Sequence, residues 1–385
     1  MPFSQGSRSG LSYVVESTFG VTPGSPALIQ LPYNTHSLEL TKDRVSGNDI
    51  QPDRMLRVDR HGNRQAGGDI VVDLRKGDFD PFMESAFMST FADSASLATT
   101  AASSTSGTAT ITFATQPTPP FPVGSAVTVA GVTPAGFNGT FTVTACTTTS
   151  VSFLNGTTGP QTVAGTVRNR ALKVGTTPRS LTIEDAAADI AQFRLFTGMT
   201  VNTMAVSIKP NSMIATTFSM IGRDMTISGT SVDPTKDAST VNQPFDSYSG
   251  TMGIGNAGGA LSSVAIITGI DFSITNALAP TFVIGSATTP QLEFGMATVE
   301  GTITAYFEDA TLINRFINET TSAFQVTVND PSGASNYTFH FPRVKINGAT
   351  VPVDGPLSRI VTLPFVALFD TVENSNIEII RNPTA

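Results

Sequence analysis

Three carboxylates lie close together in the stretch GDFDPFMESAF, residues 77–87: Asp78, Asp80 and Glu84. A pair of carboxylates on either side of a sugar linkage is the arrangement that hydrolyses glycosides. The same residues also suit the start of a helix, where acids bond to free backbone amides, and Pro81 is favoured in the first turn. We therefore predict that Asp78 and Asp80 cap a helix and that they are not catalytic.

The sequence GIGNAG, residues 253–258, matches the glycine pattern of dinucleotide-binding loops. Such a loop holds a pyrophosphate at a helix N-terminus, so it needs a strand before it and a helix after it. Here residues 262–274, SSVAIITGIDFSI, resemble a strand instead. We predict a flexible linker at this position and no cofactor.

Histidine and cysteine form no metal-binding pattern in this sequence. His36, His61 and His340 are far apart and share no ligand spacing, and Cys146 is the only cysteine. A lone cysteine within FTVTACTTTS is predicted to be a small apolar strand residue. The sequence also contains no nucleophile–base pair and no phosphate-binding loop, so we predict that the protein is not an enzyme.

A polar segment, residues 43–66, carries the arginines Arg54, Arg57, Arg60 and Arg64 among acidic residues. It can be a phosphate-binding patch, a solvated loop without a role, or a protein–protein contact. We favour the contact, because guanidinium groups pair with carboxylates in a bidentate way and a chain of net charge -8 offers such partners in its own copies. The acidic balance argues against a protein that grips nucleic acid. The segment is predicted to be a loop too long for an ordinary hairpin.

The elements that position these residues are predicted to be mainly β. Only 14% of the 385 residues are charged, and 33 Gly and 24 Pro favour many short strands and turns. The N-terminus lacks an apolar signal region, and no apolar run approaches the ~18 residues that a membrane span needs. We therefore expect synthesis in a cytoplasm, no secretion signal and no membrane partner.

Two short amphipathic helices interrupt the β pattern. In residues 77–87 the apolar positions include Phe79, Met83 and Phe87, and in residues 308–319 they include Leu312 and Phe316. Spacings of three and four residues place each set on one helix face. These five residues are the predicted core faces of two helices that flank β-structure.

The last third of the chain repeats the first. SLELTK, residues 37–42, aligns with DFSITN, residues 271–276, and the sequence from Gly68 aligns with that from Gly301, which superposes the two helices. Further on, LTIED at Leu181 aligns with VTVND at Val326. The first copy is interrupted by a Thr-, Ala-, Ser- and Gly-rich stretch that carries almost no charge and is predicted to be a small all-β, Ig-like domain.

This arrangement predicts five segments. They are residues 1–92 and 176–225 for the two parts of the first domain, 93–175 for the inserted domain, 226–260 for a flexible connector and 261–385 for the second domain.

Four stretches carry a resemblance to a known family: YVVESTFGVTPG, AYFEDATLINRFINE, TLPFVALFD and IEIIRN. They resemble the major tail tube protein of long, non-contractile bacteriophage tails, of the type with a duplicated tube domain. The resemblance implies two tandem β-sandwich or barrel domains, each with one flanking helix, with the inserted domain displayed outside the tube.

The resemblance also implies a function. It implies a virion subunit that forms stacked rings around a lumen for DNA and contacts itself and other tail proteins at the tube ends. Related single-domain subunits close as six copies, so a duplicated chain is expected to close as three. The alternative is a carbohydrate- or receptor-binding display protein in which the inserted domain is the active part.

Overall fold

The computed structural model describes residues 3–53, 55–117, 119–259, 261–264, 266–331, 336–353, 355–356 and 358–381. These residues are mainly β, with two short α-helices and three 3₁₀ turns at Gly6–Arg8, Ala135–Phe137 and Ala188–Ile190. The elements up to the first helix are β1 (Ser9–Val15), β2 (Ile29–Leu31), β3 (Thr35–His36), β4 (Glu39–Ser46), β5 (Asp59–Asp73) and α1 (Asp80–Phe87). The next strands are β6 (Ala92–Thr105), β7 (Thr108–Phe113), β8 (Ala126–Ala130), β9 (Gly139–Cys146), β10 (Ser150–Leu154) and β11 (Thr166–Lys173).

The remaining elements complete the first half and form the second. Those before residue 260 are β12 (Leu181–Ala187), β13 (Gln192–Ile208), β14 (Ala215–Gly222), β15 (Asp224–Ser228) and β16 (Asp246–Asn256). Those that follow are β17 (Ser262–Ser263), β18 (Ile267–Thr275), β19 (Ala279–Pro280), β20 (Leu292–Glu293), β21 (Thr298–Tyr306), α2 (Thr311–Ile317), β22 (Ser322–Asn329), β23 (Asn336–Ile346), β24 (Ile360–Ala367) and β25 (Glu378–Arg381).

One continuous antiparallel sheet contains eight of these strands, in the order β4–β5–β14–β13–β18–β21–β24–β23. The first four strands come from the first copy of the repeat and the last four from the second. The two sets meet where β13 pairs with β18, from Thr203 opposite Thr275 to Ile208 opposite Ile270. The two copies therefore share one sheet within the chain.

Equivalent strands pair in the same order and register in both copies. In the first copy, the paired residues are Glu39 with Gly67, Thr217 with Val71, and Val201 with Met220. In the second copy, the equivalent pairs, in the same order, are Ser273 with Glu300, Thr362 with Thr304, and Ile346 with Phe365. Each second-copy residue here is the one that the sequence alignment places on its first-copy counterpart. The repeat seen in the sequence is thus present in the strand pairing.

One block of the sequence alignment is displaced by four residues. Leu181 lies opposite Met199, and in the second copy the corresponding position opposite Val344 is held by Ser322, not by the predicted Val326. A shift of four keeps every side chain of a strand on its original face, because strand side chains alternate with a period of two. The hydrophobic pattern alone could not detect this error.

A second layer of strands packs on the apolar face of the shared sheet. The long strand β13 joins both layers, since Gln192–Met199 pairs with β12 and β15 and the later part pairs with β14 and β18. The strand turns at Gly198, which has φ 68° and whose missing Cβ would lie 3.0 Å from the Phe19 ring. Between the layers lies one hydrophobic core, in which Phe218 and Phe272 are buried.

Residues 97–167 contain a separate hydrophobic cluster. Its buried members are Ala102, Ala109, Ile111, Phe113, Phe121, Val127, Val129, Val132, Phe137, Val143, Val151, Phe153 and Val167. The strand β11 that leaves this region continues into the body of the protein, where Leu172 belongs to the main core. Residues Arg170–Lys173 of β11 pair with the C-terminal strand β25, and β25 pairs in turn with β23.

The segment 226–260, predicted as a flexible connector, contains the end of β15 and all of β16. Strand β16 pairs with β22 in the way that β1 pairs with β12. The first strand of the second copy therefore lies inside the predicted connector. Its sequence, DSYSGTMGIGN, is rich in glycine and shows little apolar alternation, so the sequence pattern does not predict a strand here.

The two helices differ in burial. In α1 and at its start, Phe79, Met83 and Phe87 are fully buried, as the helical spacing predicts. In α2, Leu312 is buried but Phe316 is 37% exposed, so the prediction of Phe316 as a core residue is wrong. The reason is coverage: α1 packs against β13, β11 and β18, whereas α2 packs mainly against β23.

Candidate functional site: the acidic face of the shared sheet

The eight-stranded sheet has one apolar face and one polar face. On β14, for example, Thr216 and Phe218 point into the core, whereas Thr217 and Ser219 point to solvent. The polar face includes Glu39, Thr41, Asp69, Val71, Asp73, Thr203, Ala205, Ser207, Ala215, Thr217, Ser219, Asp271, Ser273, Thr275, Thr298, Glu300, Thr302, Thr304, Tyr306, Lys345, Ile360, Thr362, Pro364 and Val366. We call this set the acidic face. It runs across both copies without interruption.

Carboxylates and hydroxyls dominate the acidic face. Five of its charged members are acids, namely Glu39, Asp69, Asp73, Asp271 and Glu300. The cation on the face is Lys345 at the β23 end, whose Nζ lies 2.8 Å from a Glu319 oxygen. Lys209, just beyond β13, has its Nζ 4.0 Å from an Asp271 oxygen. Such a face repels phosphate at short range, with screening beyond ~8 Å at physiological salt, while its hydroxyls keep it wetted.

Hydroxyl groups link the two copies across their junction on this face. The Thr203 and Thr275 hydroxyls lie 3.2 Å apart, and the Ser207 hydroxyl donates to the Asp271 carboxylate. A shallow depression centred on this junction is lined by Ala205, Thr217 and Glu300 among others. The face is therefore concave where the copies meet.

The arginine segment is a long hairpin rather than a loop of two dozen residues. Strands β4 and β5 pair from Glu39 opposite Gly67 to Ser46 opposite Asp59, which leaves residues 47–58 as the tip. We call residues 43–64 the first arm. Most of its described side chains are exposed.

The predicted arginines do not form one cluster. Arg54 lies outside the described residues, Arg57 pairs with Asp53 in the tip, and Arg60 is exposed on β5. Arg64 is nearer the body, where its guanidinium lies 2.7 Å from Asp224. Sequence reasoning missed the exposed apolar residues of the same arm, which are Val45, Ile50, Met55, Leu56 and Val58.

The second copy has a corresponding arm, residues 276–297, which contains the small β19–β20 hairpin. It folds back on the first copy, where the Leu278 amide donates to the Asn202 side chain at 2.8 Å and the Arg64 amide donates to the Ala287 carbonyl at 2.8 Å. Its exposed apolar residues are Phe282, Val283, Ile284, Phe294 and Met296.

The carboxylates around α1 are occupied by structural contacts. Asp80 pairs with Arg381 and accepts the Tyr337 hydroxyl, and Glu84 accepts the Phe91 amide at 3.0 Å. Asp78 does not cap the helix as predicted: the cap position is Phe79, and Asp78 accepts the Thr240 amide at 2.7 Å. Burial raises the pKa of the Asp78 carboxyl. These acids hold α1 to neighbouring segments.

The remaining candidates lie apart from one another. The glycine pattern falls in β16 and the turn that follows it, which leads to the short strand β17. Burial raises the pKa of the Cys146 thiol to about 11, which opposes thiolate chemistry at neutral pH. Among the described residues, no group of three or more His, Cys, Asp or Glu side chains is placed to hold a metal ion. Within those same residues, no helix has the length and hydrophobicity to cross a bilayer.

Two equivalent β-copies that share one sheet, with an acidic face and projecting arms, are the features of a structural β protein. Comparison with protein families agrees: a model described as phage tail tube protein matches residues 6–367, and the chain belongs to this family. No curated protein matches the chain. The protein is thus a structural subunit of a phage tail tube and a component of the virion, as the sequence resemblance implied.

Proposed function

We propose that three chains close into one ring and that their shared sheets together form the wall of the tube lumen. The observation that carries this proposal is the single sheet of four strands from each copy. Three chains supply three times eight strands, with six equivalent four-stranded blocks around the axis. Closed rotational symmetry is the usual solution for a self-associating subunit with two complementary edges.

The acidic face then lines the channel through which DNA passes during ejection. Its carboxylates offer phosphates no partner, and its short Thr and Ser side chains leave the wall smooth and wet. A wall with basic residues would instead retain DNA, because each phosphate contact adds a salt-dependent share of affinity. The placement of charge on this sheet therefore suits transit rather than binding.

Residues 93–175 act in this proposal as a domain on the outside of the tube. They join the body through β6 and β11, and β11 extends the second layer of strands by way of β25. That layer lies on the apolar side of the shared sheet, away from the acidic face. The two copies of the tube domain occupy the rest of the chain on either side of this insertion.

The first arm is proposed to contact the next ring in the stack. It combines Arg57 and Arg60 with exposed apolar residues such as Ile50 and Met55, and arginine with apolar surface is a composition typical of interfaces. Copies of this chain at the tube ends meet other tail proteins instead. The protein is made in the cytoplasm of a bacterial host and is assembled there into virions.

Two experiments test the proposal. Cryo-electron microscopy of the polymerised protein is expected to show threefold rings with three outer projections, and six chains in a ring would contradict it. The variant Asp69→Lys, Asp271→Lys, Glu300→Lys is expected to form tubes that retain short duplex DNA at low salt, whereas wild-type tubes do not. If wild-type and variant tubes retain the same amount of DNA, the acidic face does not line the lumen. For a matched control, Asp93→Lys on the outer domain is compared with the single variant Asp271→Lys, which carries the same charge change on the acidic face.

A further inference from the structure

We infer that the free edge of residues 36–41 in one chain pairs with residues 348–353 of a second copy, in the register of the internal β13–β18 pairing. This inference rests on the proposed ring and identifies the surfaces that close it. The observed junction of the two copies inside one chain is the template for the junction between chains.

The two surfaces are the outer edges of the shared sheet. In the described part of the chain, β3 and β4 pair with β5 alone, so their opposite edge is unpaired. At the other end of the sheet, residues 348–353 follow β23 and run beside β24, where Thr350 exchanges both of its backbone hydrogen bonds with Thr362. Unpaired sheet edges recruit further strands.

The repeat fixes which residues correspond. Thr350 pairs with Thr362 in the second copy as Ala205 pairs with Thr217 in the first. Residues 348–353 are therefore equivalent to Thr203–Ile208. Likewise Glu39 pairs with Gly67 in the first copy as Ser273 pairs with Glu300 in the second. Residues 36–41 are therefore equivalent to Ile270–Thr275. Since Ala205 pairs with Ser273 inside the chain, Thr350 pairs with Glu39 of the next copy.

The backbone groups point in the required direction. In an antiparallel ladder, neighbouring residues direct their amide and carbonyl groups to opposite sides. Because Thr350 bonds to β24, the backbone groups of Ala349 and Val351 are directed to the free edge. There the Val351 carbonyl accepts the Arg359 guanidinium at 2.6 Å, a bond that pairing with the next copy has to replace. Pro352 falls on the β24 side, so its missing amide removes no hydrogen bond from the proposed junction.

The exposed end of α2 supports the same partner. In the first copy, the Asn276 side chain that follows β18 donates to the Ala86 carbonyl of α1 at 2.8 Å and helps to cover that helix. Within the described ranges of the chain, no equivalent side chain covers α2, and Phe316 and Ile317 are 37% and 64% exposed. A neighbouring β4 in the equivalent position covers them.

Charge and polar groups also match. Asn347 corresponds to Asn202, whose side chain accepts the Leu278 amide at the internal junction, but the Asn347 side chain is exposed. Arg359 bonds the Val351 carbonyl at 2.6 Å, so a cation lies at this edge. The proposed register brings the exposed Glu39 carboxylate close to it.

A cysteine pair tests the register. Positions 39 and 350 form a non-hydrogen-bonded pair in the proposed junction, where side chains approach closely enough for a disulfide. In a Cys146→Ala background, Glu39→Cys with Thr350→Cys is expected to give a covalent closed trimer when assembled tubes are oxidised. The control is Glu39→Cys with Val351→Cys, which places the two thiols on opposite faces of the sheet and stays uncrosslinked.

The outcomes distinguish this inference from the proposed ring. Tubes with threefold rings in which the 39–350 pair remains reduced would overturn the register and leave the ring intact. Failure of the wild-type chain to form rings would overturn the proposed function itself.

A second variant does not depend on disulfide chemistry. Val351→Pro removes an amide that faces the partner. We expect about a hundred-fold rise in the protein concentration needed for polymerisation relative to Val351→Ala, which loses the same partly buried side chain but keeps the amide. Pro352→Ala is the control and assembles as wild type does. Unchanged polymerisation of Val351→Pro would refute the junction.

Discussion

The boundary of the inserted domain is predicted to decide whether its removal is tolerated. Deleting residues 93–175, the segment defined by composition, also removes Leu172, which is fully buried in the main core. It removes the β11 residues that pair with β25 as well. Deleting residues 96–168 instead cuts β6 and β11 where Ala95 and Asn169 lie opposite each other, so an Asn-Gly turn can join them.

The cost of the wider deletion follows from what it exposes. Loss of a fully buried leucine side chain costs about 2–5 kcal/mol, and β25 additionally loses one of its two partner strands. For a chain of this size, the leucine alone corresponds to a fall in melting temperature of roughly 3–8 °C, and the lost β25 pairing adds to it. The narrower deletion leaves Leu172 and the β11–β25 pairing in place, and it is expected to melt within a few degrees of the full chain.

Thermal unfolding followed by circular dichroism, together with electron microscopy of polymerised protein, measures both variants. Leu172→Ala in the full chain is the matched control for the core contribution. We expect the narrow deletion to form tubes of normal diameter that lack the outer projections. If the narrow deletion aggregates or melts as low as the wide one, residues 96–168 are integral to the tube domain and the outer-domain proposal is wrong.

Three further outcomes are expected. Burial raises the pKa of Glu378 from 4.5 in the unfolded chain to about 7, so its contribution to stability is lost as the pH rises from about 4.5 to 7, and Glu378→Gln should flatten melting temperature against pH in that window. Phe82→Ala should cost about 3–5 kcal/mol by chemical denaturation, whereas Phe316→Ala, at a side chain 37% exposed, should cost clearly less and impair polymerisation; equal costs would contradict the unequal burial of the helices. The double change of Arg57 and Arg60 to Ser should preserve the fold and lower tube yield most at low salt, where the wild-type ion pairs are least screened, and a yield equal to that of the wild type across a salt series would exclude a stacking role.

Much of the mainly β fold could be predicted because it follows from residue patterns within short segments of the sequence. The apolar spacing around Phe79, Met83 and Phe87 identified α1, and the pairs of Gly68 with Gly301 and of Thr217 with Thr362 fixed the register of most of the repeat. These features depend on residues near one another in sequence. The structure adds that the two copies share one sheet.

The errors arose where the outcome depends on distant partners. Phe316 has the same helical spacing as its counterpart Met83, but Met83 is buried because α1 packs against strands of both copies, whereas α2 packs mainly against β23. Strand β16 has little apolar alternation and is held by its pairing with β22. The acidic face could not be assembled from sequence, because Asp69 and Asp271 come into one surface only through the strand order.

Duplication within one chain has a physical consequence for assembly. If the ring contains six equivalent four-stranded blocks, each of its three chains forms one junction when it folds, through the pairing of β13 with β18, so three of the six junctions are intramolecular. Joining separate subunits costs translational and rotational freedom at every new contact, so halving the number of intermolecular junctions reduces that cost. Duplication also allows the internal and the external junction to differ in sequence and structure. The internal junction buries α1, whereas the external junction leaves Phe316 exposed until a neighbouring chain binds. The external junction is then the weaker and reversible one, and it is where assembly of the tube can be controlled without destabilising the fold.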